Sequence, residues 1–325
     1  MKLKIKKTLQ PLIVDNKIVF GLGNKNLIRS IPNTVSNIKL IKYLNGEIKR
    51  SDLQLSEKNI TSKIKKLKEM GLLTSNTYGK KDMYSRNFNF FEWIDLSNQT
   101  DPSIYQKKLA NSYVTIFGVG GVGATVAEQL VRTGVGKLKL IDFDTVDSSN
   151  ITRQSTYTCS DIGKNKVDSC KQYLKSIDPN VEIITQNLKI RNKSDIANNI
   201  CNNTNIIIDS IDSPEDGNKW FDEISTQLNI PVIFGSYAST CCNVFSKIPN
   251  ITINYMDFLG KEKITDDCLI KHEFPTAVIS PITSVAAGLV SYNTIMLLTQ
   301  LRIPDQAIQI DFDGWKVLKY DIKKH

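Results

Sequence analysis

A glycine-rich turn lies between a predicted strand and a predicted helix in the middle of the chain. Residues 114–117 are β-branched or aromatic, residues 124–133 have helical character, and the turn between them contains Gly118, Gly120, Gly121 and Gly123. Glycine lets the backbone approach a ligand closely, and the free amides at a helix start attract anionic oxygens. The turn therefore predicts a bound nucleotide.

Two aspartates near the end of the second predicted strand, residues 138–141, supply a group that can hold ribose hydroxyls. Asp142 and Asp144 stand about twenty residues beyond the glycines, as the acidic residue does in dinucleotide-binding dehydrogenases. The glycines and this acidic pair are compatible with hydride transfer and with a reaction of ATP.

A polar cluster after the second strand separates these two interpretations. Asn150, Arg153 and Gln154 crowd one turn of chain, and Lys166 opens the next predicted helix. Two cations and two amides near the phosphates have little use in hydride transfer. Breaking a phosphoanhydride depends on positioning and on neutralising charge, so the cluster favours ATP.

The complete string resembles the signature of the ubiquitin-activating-enzyme-like superfamily, the ThiF, MoeB and HesA group, whose members adenylate carboxylates. It reads Gly-x-Gly-Gly-x-Gly, then Asp-Phe-Asp-x-Val-x-x-Ser-Asn-x-x-Arg-Gln, then Gly-x-x-Lys. The resemblance spans about residues 84–318 and implies ATP and Mg²⁺ as cofactors. It places Asp142 on the ribose, Asn150 and Arg153 near the phosphates, and Lys166 on the triphosphate.

Two further aspartates follow a later predicted strand, residues 205–208. Asp209-Ser-Ile-Asp212 is similar to the family's Asp-x-x-Asp segment, and the resemblance makes Asp212 the magnesium ligand, although Ser213 stands where the family usually has asparagine. From the residues alone, both aspartates read as strand-end caps, and that interpretation stays open for Asp209.

Arg86 precedes the glycine turn by about thirty residues, within Tyr-Ser-Arg-Asn, and a polar link at residues 97–103 follows. From the residues alone it is a surface arginine beside an aromatic cluster. The resemblance makes it an arm residue that reaches the triphosphate of the neighbouring subunit, and thus implies a homodimer. With Arg153, Lys166 and Asp212 it completes the predicted catalytic set.

Length and composition set the broad class of the protein. The chain has 325 residues, of which 41% are hydrophobic, enough for a sizeable core and two domains. Strands and helices that alternate from residue 114 predict an α/β fold, a Rossmann-like doubly wound sheet. With no apolar run of 18 residues and no signal peptide, the sequence predicts a cytoplasmic protein without a membrane segment.

The positive charge is confined to the N-terminal part. Residues 1–85 hold 18 Lys and Arg against 6 Asp and Glu, although the net charge of the whole chain is only +9. A hairpin around Asp15-Asn16 and helices at 35–44 and 56–70 predict a small winged-helix (α+β) domain over residues 1–83, followed by an ATP-binding domain over 84–325.

Three interpretations of this basic domain are open. The lysines of its second helix could be a solvated face, or they could neutralise DNA phosphates. A winged helix in front of an adenylating domain also resembles the leader-peptide clamp of the microcin C and pantocin branch of the family, where a peptide adds as a strand to the hairpin edge. The third is preferred, because DNA binding would leave the adenylation site without a purpose. The expected partner is therefore a precursor peptide rather than nucleic acid.

Cysteine spacing argues against a structural zinc site. The six cysteines form no Cys-x-x-Cys pair, whereas many relatives carry two such pairs. Cys268, four residues before His272, is a weak candidate for an acyl-accepting nucleophile within a loop at 260–281 that resembles the family's crossover loop.

The preferred function is ATP-dependent adenylation of a carboxylate on a ribosomally made precursor peptide, leading to an antibiotic-type product. One alternative of the same chemistry is activation of a ubiquitin-like sulfur carrier for thiamine or molybdopterin synthesis. An alternative of another class is a non-catalytic nucleotide-binding scaffold for a peptide or DNA.

Overall fold

The computed structural model describes residues 3–22, 28–79, 82–214, 216–260 and 277–324. The chain folds into two compact units, Met1–Lys107 and Lys108–His325. The boundary predicted between residues 83 and 84 lies within the first unit, so the assignment of separate functions to 1–83 and 84–325 stays a prediction.

The first unit combines short antiparallel strands with helices. Its elements are β1 (Lys4–Ile5), β2 (Leu12–Val14), β3 (Lys17–Phe20), β4 (Arg29–Pro32), α1 (Val35–Asn45), α2 (Glu57–Glu69), β5 (Leu73–Thr74), α3 (Ser85–Ile94) and the start of α4 (Ser103–Ala110). Strands β2, β3 and β4 form one antiparallel sheet, and β1 pairs with β5.

The predicted hairpin is confirmed, because β2 and β3 pair with Val14 opposite Lys17 around a turn in which Asp15 has a φ of +51°. Leu9, which precedes the hairpin, lies in a 3-10 turn. β2 is an edge of its sheet, and all three of its apolar side chains are exposed.

The two predicted helices are confirmed as α1 and α2. Thr34 and Ser56 cap their first turns by accepting from backbone amides, and Gly46 ends α1 with a φ of +81°. Leu40, Leu44, Ile60 and Leu67 are buried in a core shared with the strands. Four lysines of α2 are exposed, whereas the Nζ of Lys63 donates to the Oδ1 of Asn37 at 2.6 Å.

The second unit contains an eight-stranded sheet among the described residues. Its elements are β6 (Tyr113–Phe117), α5 (Gly123–Thr133), β7 (Lys137–Asp142), α6 (Lys166–Ile177), β8 (Glu182–Asn187), α7 (Lys193–Ala197), β9 (Ile206–Asp209), α8 (Gly217–Leu228), β10 (Val232–Ala238), β11 (Cys241–Lys247), α9 (Tyr255–Leu259), α10 (Ser280–Thr299), β12 (Gln306–Asp311) and β13 (Lys316–Asp321).

The strand order is β13-β12-β11-β10-β9-β6-β7-β8. The strands from β8 to β10 run parallel, as predicted, but β10 to β13 are antiparallel neighbours. Four of the seven neighbouring strand pairs are parallel and three are antiparallel, and the reversal begins at the short β10–β11 connection, which can join only antiparallel strands. The α/β class is confirmed, with a mixed sheet.

Helix α10 packs against α5, β10 and β11. By length and composition it could cross a membrane, contrary to the sequence expectation that no such run exists. However, 61% of its most apolar window is buried inside the protein, which is typical of a core helix. Its buried Asn293 donates to the hydroxyl of Ser246 at 3.0 Å.

The carboxyl ends of β6, β7, β9 and β10 meet at one edge of the sheet. In open α/β sheets the ligand binds beyond this edge, where the strand order reverses. Here β6 is flanked by β7 on one side and β9 on the other, so the connections after these strands diverge and leave a crevice.

Candidate active site

A cavity of about 570 Å³ opens at this edge of the second unit. It brings together ten of the residues that the sequence nominates: Gly118, Gly120, Gly121, Asp142, Asp144, Asn150, Arg153, Gln154, Lys166 and Asp212. The ends of the neighbouring strands β6, β7 and β9, a turn after β7 and the start of α6 position them. Gly123, which the sequence also nominates, does not line the cavity.

The glycine turn depends on close backbone packing. Gly118 has a φ of +85°, and a Cβ there would lie 2.6 Å from the carbonyl oxygen of Ser210. A Cβ on Gly123 would lie 1.9 Å from the carbonyl oxygen of Gly118, so Gly123 packs beneath the turn rather than facing a ligand. At Gly120 the nearest such atom is 3.9 Å away. The turn is therefore tight underneath and open at Gly120 on the cavity side.

Asp142 ties the glycine turn to the end of β7. Its Oδ2 accepts from the backbone N–H of Val119 at 2.8 Å, and its Oδ1 accepts from that of Asp144 at 2.8 Å. The hydroxyl of Tyr157 donates to the carbonyl of Val119 at 2.6 Å, and burial raises the pKa of this tyrosine. The hydrogen bonds that Val119 makes with Asp142 and Tyr157 fix the turn. The Asp142 carboxylate keeps lone pairs that can accept hydrogen bonds from hydroxyl groups.

Lys166 is the first residue of α6, and its side chain is almost wholly buried. Its Nζ donates to the Oδ2 of Asp144 at 2.9 Å, and its backbone N–H donates to the carbonyl of Asp144 at 3.0 Å. Two bonds to one residue hold the ammonium group against the cavity wall. The ion pair gives the cavity a fixed positive group: the side chain of Lys166 is buried, whereas the carboxylate of Asp144 is half-exposed.

Asn150, Arg153 and Gln154 come from one short turn. The side-chain Oδ1 of Asn150 accepts from the Asp147 N–H at 3.0 Å, and Asn150's carbonyl accepts from the N–H groups of Arg153 and Gln154. An Nη1 of Arg153 donates to the Ser149 carbonyl at 2.9 Å. The Nε of Arg153 and the Oε1 of Gln154 are buried without a hydrogen-bond partner among the described residues, and such orphaned groups at a cavity indicate a polar ligand.

Asp209 and Asp212 end up in different environments. Asp212 is exposed at the cavity rim. Asp209 is buried at 3% exposure, and its Oδ1 accepts from the Ile211 N–H at 3.2 Å, as a cap would. Its Oδ2 has no partner in the described part of the chain, and burial together with Asp222 raises its pKa to about 8. Asp209 is therefore a cap and also a neutral carboxyl at the cavity near pH 7.

The end of the cavity beside β7 and β8 is apolar. Ile141, Phe143, Leu188 and Ile190 line it, whereas the glycine turn follows β6 and the charged side chains come from the segment after β7 and from the end of β9. This division suits a ligand that has a flat apolar base joined to anionic oxygens.

The other end of the cavity contains residues that the sequence did not nominate. Ser236 and Tyr237 lie near the end of β10, and Tyr255 opens α9. Burial raises the pKa of Tyr255 to about 12, and its ring stacks on Phe234 at 4.3 Å. The rule that ligands lie beyond the carboxyl ends of strands could have found Ser236 and Tyr237, but a five-residue helix such as α9 leaves no periodic signal.

Two predictions concern residues away from this cavity. Arg86 is exposed in the first turn of α3, in the first unit, so the predicted arm is helical there and its role stays a prediction. Cys268, His272 and most of the predicted loop 260–281 lie outside the described residues.

The donor set of the cavity fits a magnesium nucleotide. Mg²⁺ is usually held by one or two carboxylates together with phosphate oxygens and waters, rather than by a full protein cage. Asp212 supplies such a carboxylate in the cavity that Arg153 and Lys166 also line. Among the described residues no cluster of three His, Cys, Asp or Glu forms a cage for a metal ion.

Comparison with known proteins identifies related sequences. The profile of the ThiF family matches residues 84–324. The adenylyltransferase and sulfurtransferase UBA4 of Meyerozyma guilliermondii is 34% identical over 131 residues, which cover 40% of this chain and 30% of that protein. The match thus spans less than a third of the curated relative.

Solved structures match the whole chain. Escherichia coli MccB with ATP aligns with a TM-score of 0.81 at 23% identity, covering 100% of this chain and 98% of that chain. The microcin C7 biosynthetic enzyme MccB in complex with N-formylated MccA gives 0.82 at 23%. PaaA gives 0.77 at 24%, covering 98% and 100%. At these identities the likeness shows that the fold is shared.

Proposed function

The chain belongs to the ThiF family, and on that premise we propose that it uses ATP to adenylate a carboxylate of a ribosomally made precursor peptide. The observation that carries the proposal is that the glycine turn, Arg153, Lys166 and Asp212 all line one cavity at the carboxyl edge of the sheet. The full-length likeness to MccB and PaaA supports the peptide as substrate, because the basic first unit is part of the shared fold.

In the proposed reaction an oxygen of the peptide carboxylate attacks the α-phosphorus of ATP, and the bond to the β-phosphate oxygen breaks. The products are an acyl adenylate and pyrophosphate. The apolar end of the cavity holds the adenine, Asp142 accepts from the ribose hydroxyls, and the glycine turn lies under the phosphates. Lys166 and Arg153 stabilise the charge that develops on the phosphate oxygens.

Mg²⁺, when bound, would be held by Asp212 and would neutralise phosphate charge. Arg86 is proposed to complete the site of the partner in a homodimer, and the protein is proposed to work in the cytoplasm. Gln154 and the buried Nε of Arg153 supply a further acceptor and donor for the nucleotide.

ATP–pyrophosphate exchange tests this function. A library of synthetic peptide acids should contain members that support exchange, and Asp212→Asn should lower that exchange by about 100-fold or more while the fold is kept. Asp216→Asn, which removes an exposed carboxylate outside the cavity lining, is the matched control and should stay within a few-fold of the unaltered protein.

Two results would refute the proposal. Exchange that responds only to a protein ending in a diglycine would favour the sulfur-carrier function that the name of UBA4 suggests. No exchange with any carboxylate, in protein shown to bind ATP, would favour a nucleotide-binding scaffold.

A further inference from the structure

We propose that a second cavity, next to the nucleotide cavity, binds one large apolar side chain of the peptide whose carboxylate is activated. The proposal rests on the adenylating function proposed above and names the substrate class of that site. The second cavity, called the aromatic pocket here, has a volume of about 210 Å³.

The aromatic pocket shares part of its wall with the nucleotide cavity. Phe234, Ser236 and Tyr255 line both. Along the sheet, the apolar end proposed for the adenine lies at β7 and β8, the glycine turn proposed for the phosphates follows β6, and the aromatic pocket lies at β10 to β13. A peptide whose carboxylate reaches the phosphates from β10 therefore passes the opening of this pocket.

The walls of the pocket are aromatic. Phe234 stacks on Tyr255 with ring centroids 4.3 Å apart, Phe245 lies 5.1 Å from both Tyr255 and Phe258, and Phe258 meets Tyr320 edge-on at 5.5 Å. The residues that line it in the described structure include no charged side chain. Since a cavity of about 150 Å³ accepts benzene, a phenyl-sized group fits.

A row of polar side chains crosses the same strands. Ser236 pairs with Asn243, and Asn243 pairs with Gln309, so the three are cross-strand neighbours on β10, β11 and β12. All three line the aromatic pocket. Primary amides both donate and accept hydrogen bonds, which suits the N–H and C=O groups of a peptide main chain. The pocket therefore offers an apolar wall for a side chain and a polar row for the backbone beside it.

The wall that separates the two cavities is held in place from behind. The carboxylate of Asp222, which is 5% exposed, accepts from the N–H groups of Tyr255 at 2.9 Å and Met256 at 2.7 Å. The buried Lys247 donates to the Oδ1 of Asn254 at 2.6 Å. These bonds fix the start of α9, so the Tyr255 ring is positioned before a ligand arrives, which lowers the entropic cost of binding.

The probes for this inference are N-acetyl-alanyl dipeptide acids that end in phenylalanine, glycine or aspartate, titrated in the presence of ATP and followed by saturation-transfer NMR. The phenylalanine dipeptide should bind about tenfold more tightly than the other two. A buried aspartate carboxylate would meet no cation among the residues that line this pocket in the described structure.

Two variants test the location of the binding. Ala307 is a small buried residue of the pocket lining, and Ala307→Met should remove the preference by filling the space. Phe258→Ala should shift the preference from phenylalanine to tryptophan. Ile303→Ala, at an exposed apolar site outside the pocket lining, is the control, and ATP binding by each variant verifies its fold.

Equal binding of the three dipeptides, no binding of any, or an unchanged preference in both pocket variants would overturn the inference. A preference that follows the pocket variants without any pyrophosphate exchange would refute the adenylating function and leave the pocket standing. Pyrophosphate exchange without a preference for phenylalanine would support the adenylating function and refute the role of the aromatic pocket.

Discussion

Single side chains set the electrostatics of the nucleotide cavity. Lys166 is buried and held by Asp144, Arg153 keeps an unpartnered Nε, and Asp212 is exposed at the rim. All of these residue types and positions could be predicted from the sequence, because their spacing matches a long motif. The neutral state of Asp209 could not, since it depends on burial by chain segments far away in sequence.

Asp209 gives a pH prediction. Its pKa of about 8 in the folded protein, against about 4 in the unfolded chain, means that the folded state holds a proton that the unfolded state releases between these values. Asp209 therefore lowers the free energy of unfolding progressively as pH rises from about 4 to about 8. Asparagine cannot ionise, so Asp209→Asn should remove this dependence.

Urea unfolding of both proteins between pH 5 and pH 8 measures the effect. The stability of Asp209→Asn relative to the unaltered protein should increase across this range, by about 1.4 kcal/mol per pH unit at most. The other charged groups around Asp209, above all Asp222, are the same in both proteins. Parallel pH profiles would show that Asp209 is ionised when folded. Asp216→Asn should give such parallel profiles.

The elements differ in how well the sequence predicts them. Strongly apolar or capped segments, such as β6, α1 and α5, are predicted to within a few residues. β8 is missed because it is an edge strand whose side chains are mostly exposed, which leaves no apolar run. The reversal of strand direction at β11 is missed because it depends on the short β10–β11 turn.

In the first unit, the edge strand β2 is the predicted binding site for a precursor peptide. Its Leu12, Ile13 and Val14 are 46%, 61% and 41% exposed, and an open, apolar strand edge is a site where an extended peptide can add. Ile13→Asp should therefore weaken binding of a precursor peptide by about tenfold or more, because a desolvated charge opposes the added strand. Fluorescence anisotropy with a labelled peptide measures the affinity.

Val35→Asp is the matched control, since it places the same charge on an apolar residue of the same unit that is 72% exposed and lies in α1. It should leave the affinity unchanged. Equal effects of the two variants would move the peptide site away from β2. Duplex DNA that binds more tightly than any peptide at physiological salt would support the DNA interpretation.

The assembly of the whole molecule is tested by mixing variants. If Arg86 completes the partner's site in a symmetric dimer, then Arg86→Ala and Asp212→Asn proteins should each be inactive, but refolding them together should restore activity. With random pairing about half of the dimers are mixed, and one site in each is intact, so activity should approach roughly a quarter of the unaltered level. No recovery, in material shown by light scattering to be dimeric, would place Arg86 elsewhere.

The two functions proposed for this chain, peptide binding and adenylation, are assigned to different units. The first unit carries the excess positive charge and an open strand edge, and the second carries the nucleotide cavity with the aromatic pocket beside it. The sequence predicts this division of labour from charge and motif position, but the aromatic pocket requires the fold, because its lining comes from four strands and α9.

An isotope experiment tests most directly whether the carboxylate attacks the α-phosphorus. A peptide that supports pyrophosphate exchange is labelled with ¹⁸O in its carboxylate and turned over with ATP, and the products are analysed by mass spectrometry. Attack at the α-phosphorus predicts AMP and pyrophosphate, with one ¹⁸O in the AMP after the acyl group is transferred. ADP together with ¹⁸O-labelled phosphate would show attack at the γ-phosphorus and would contradict adenylation.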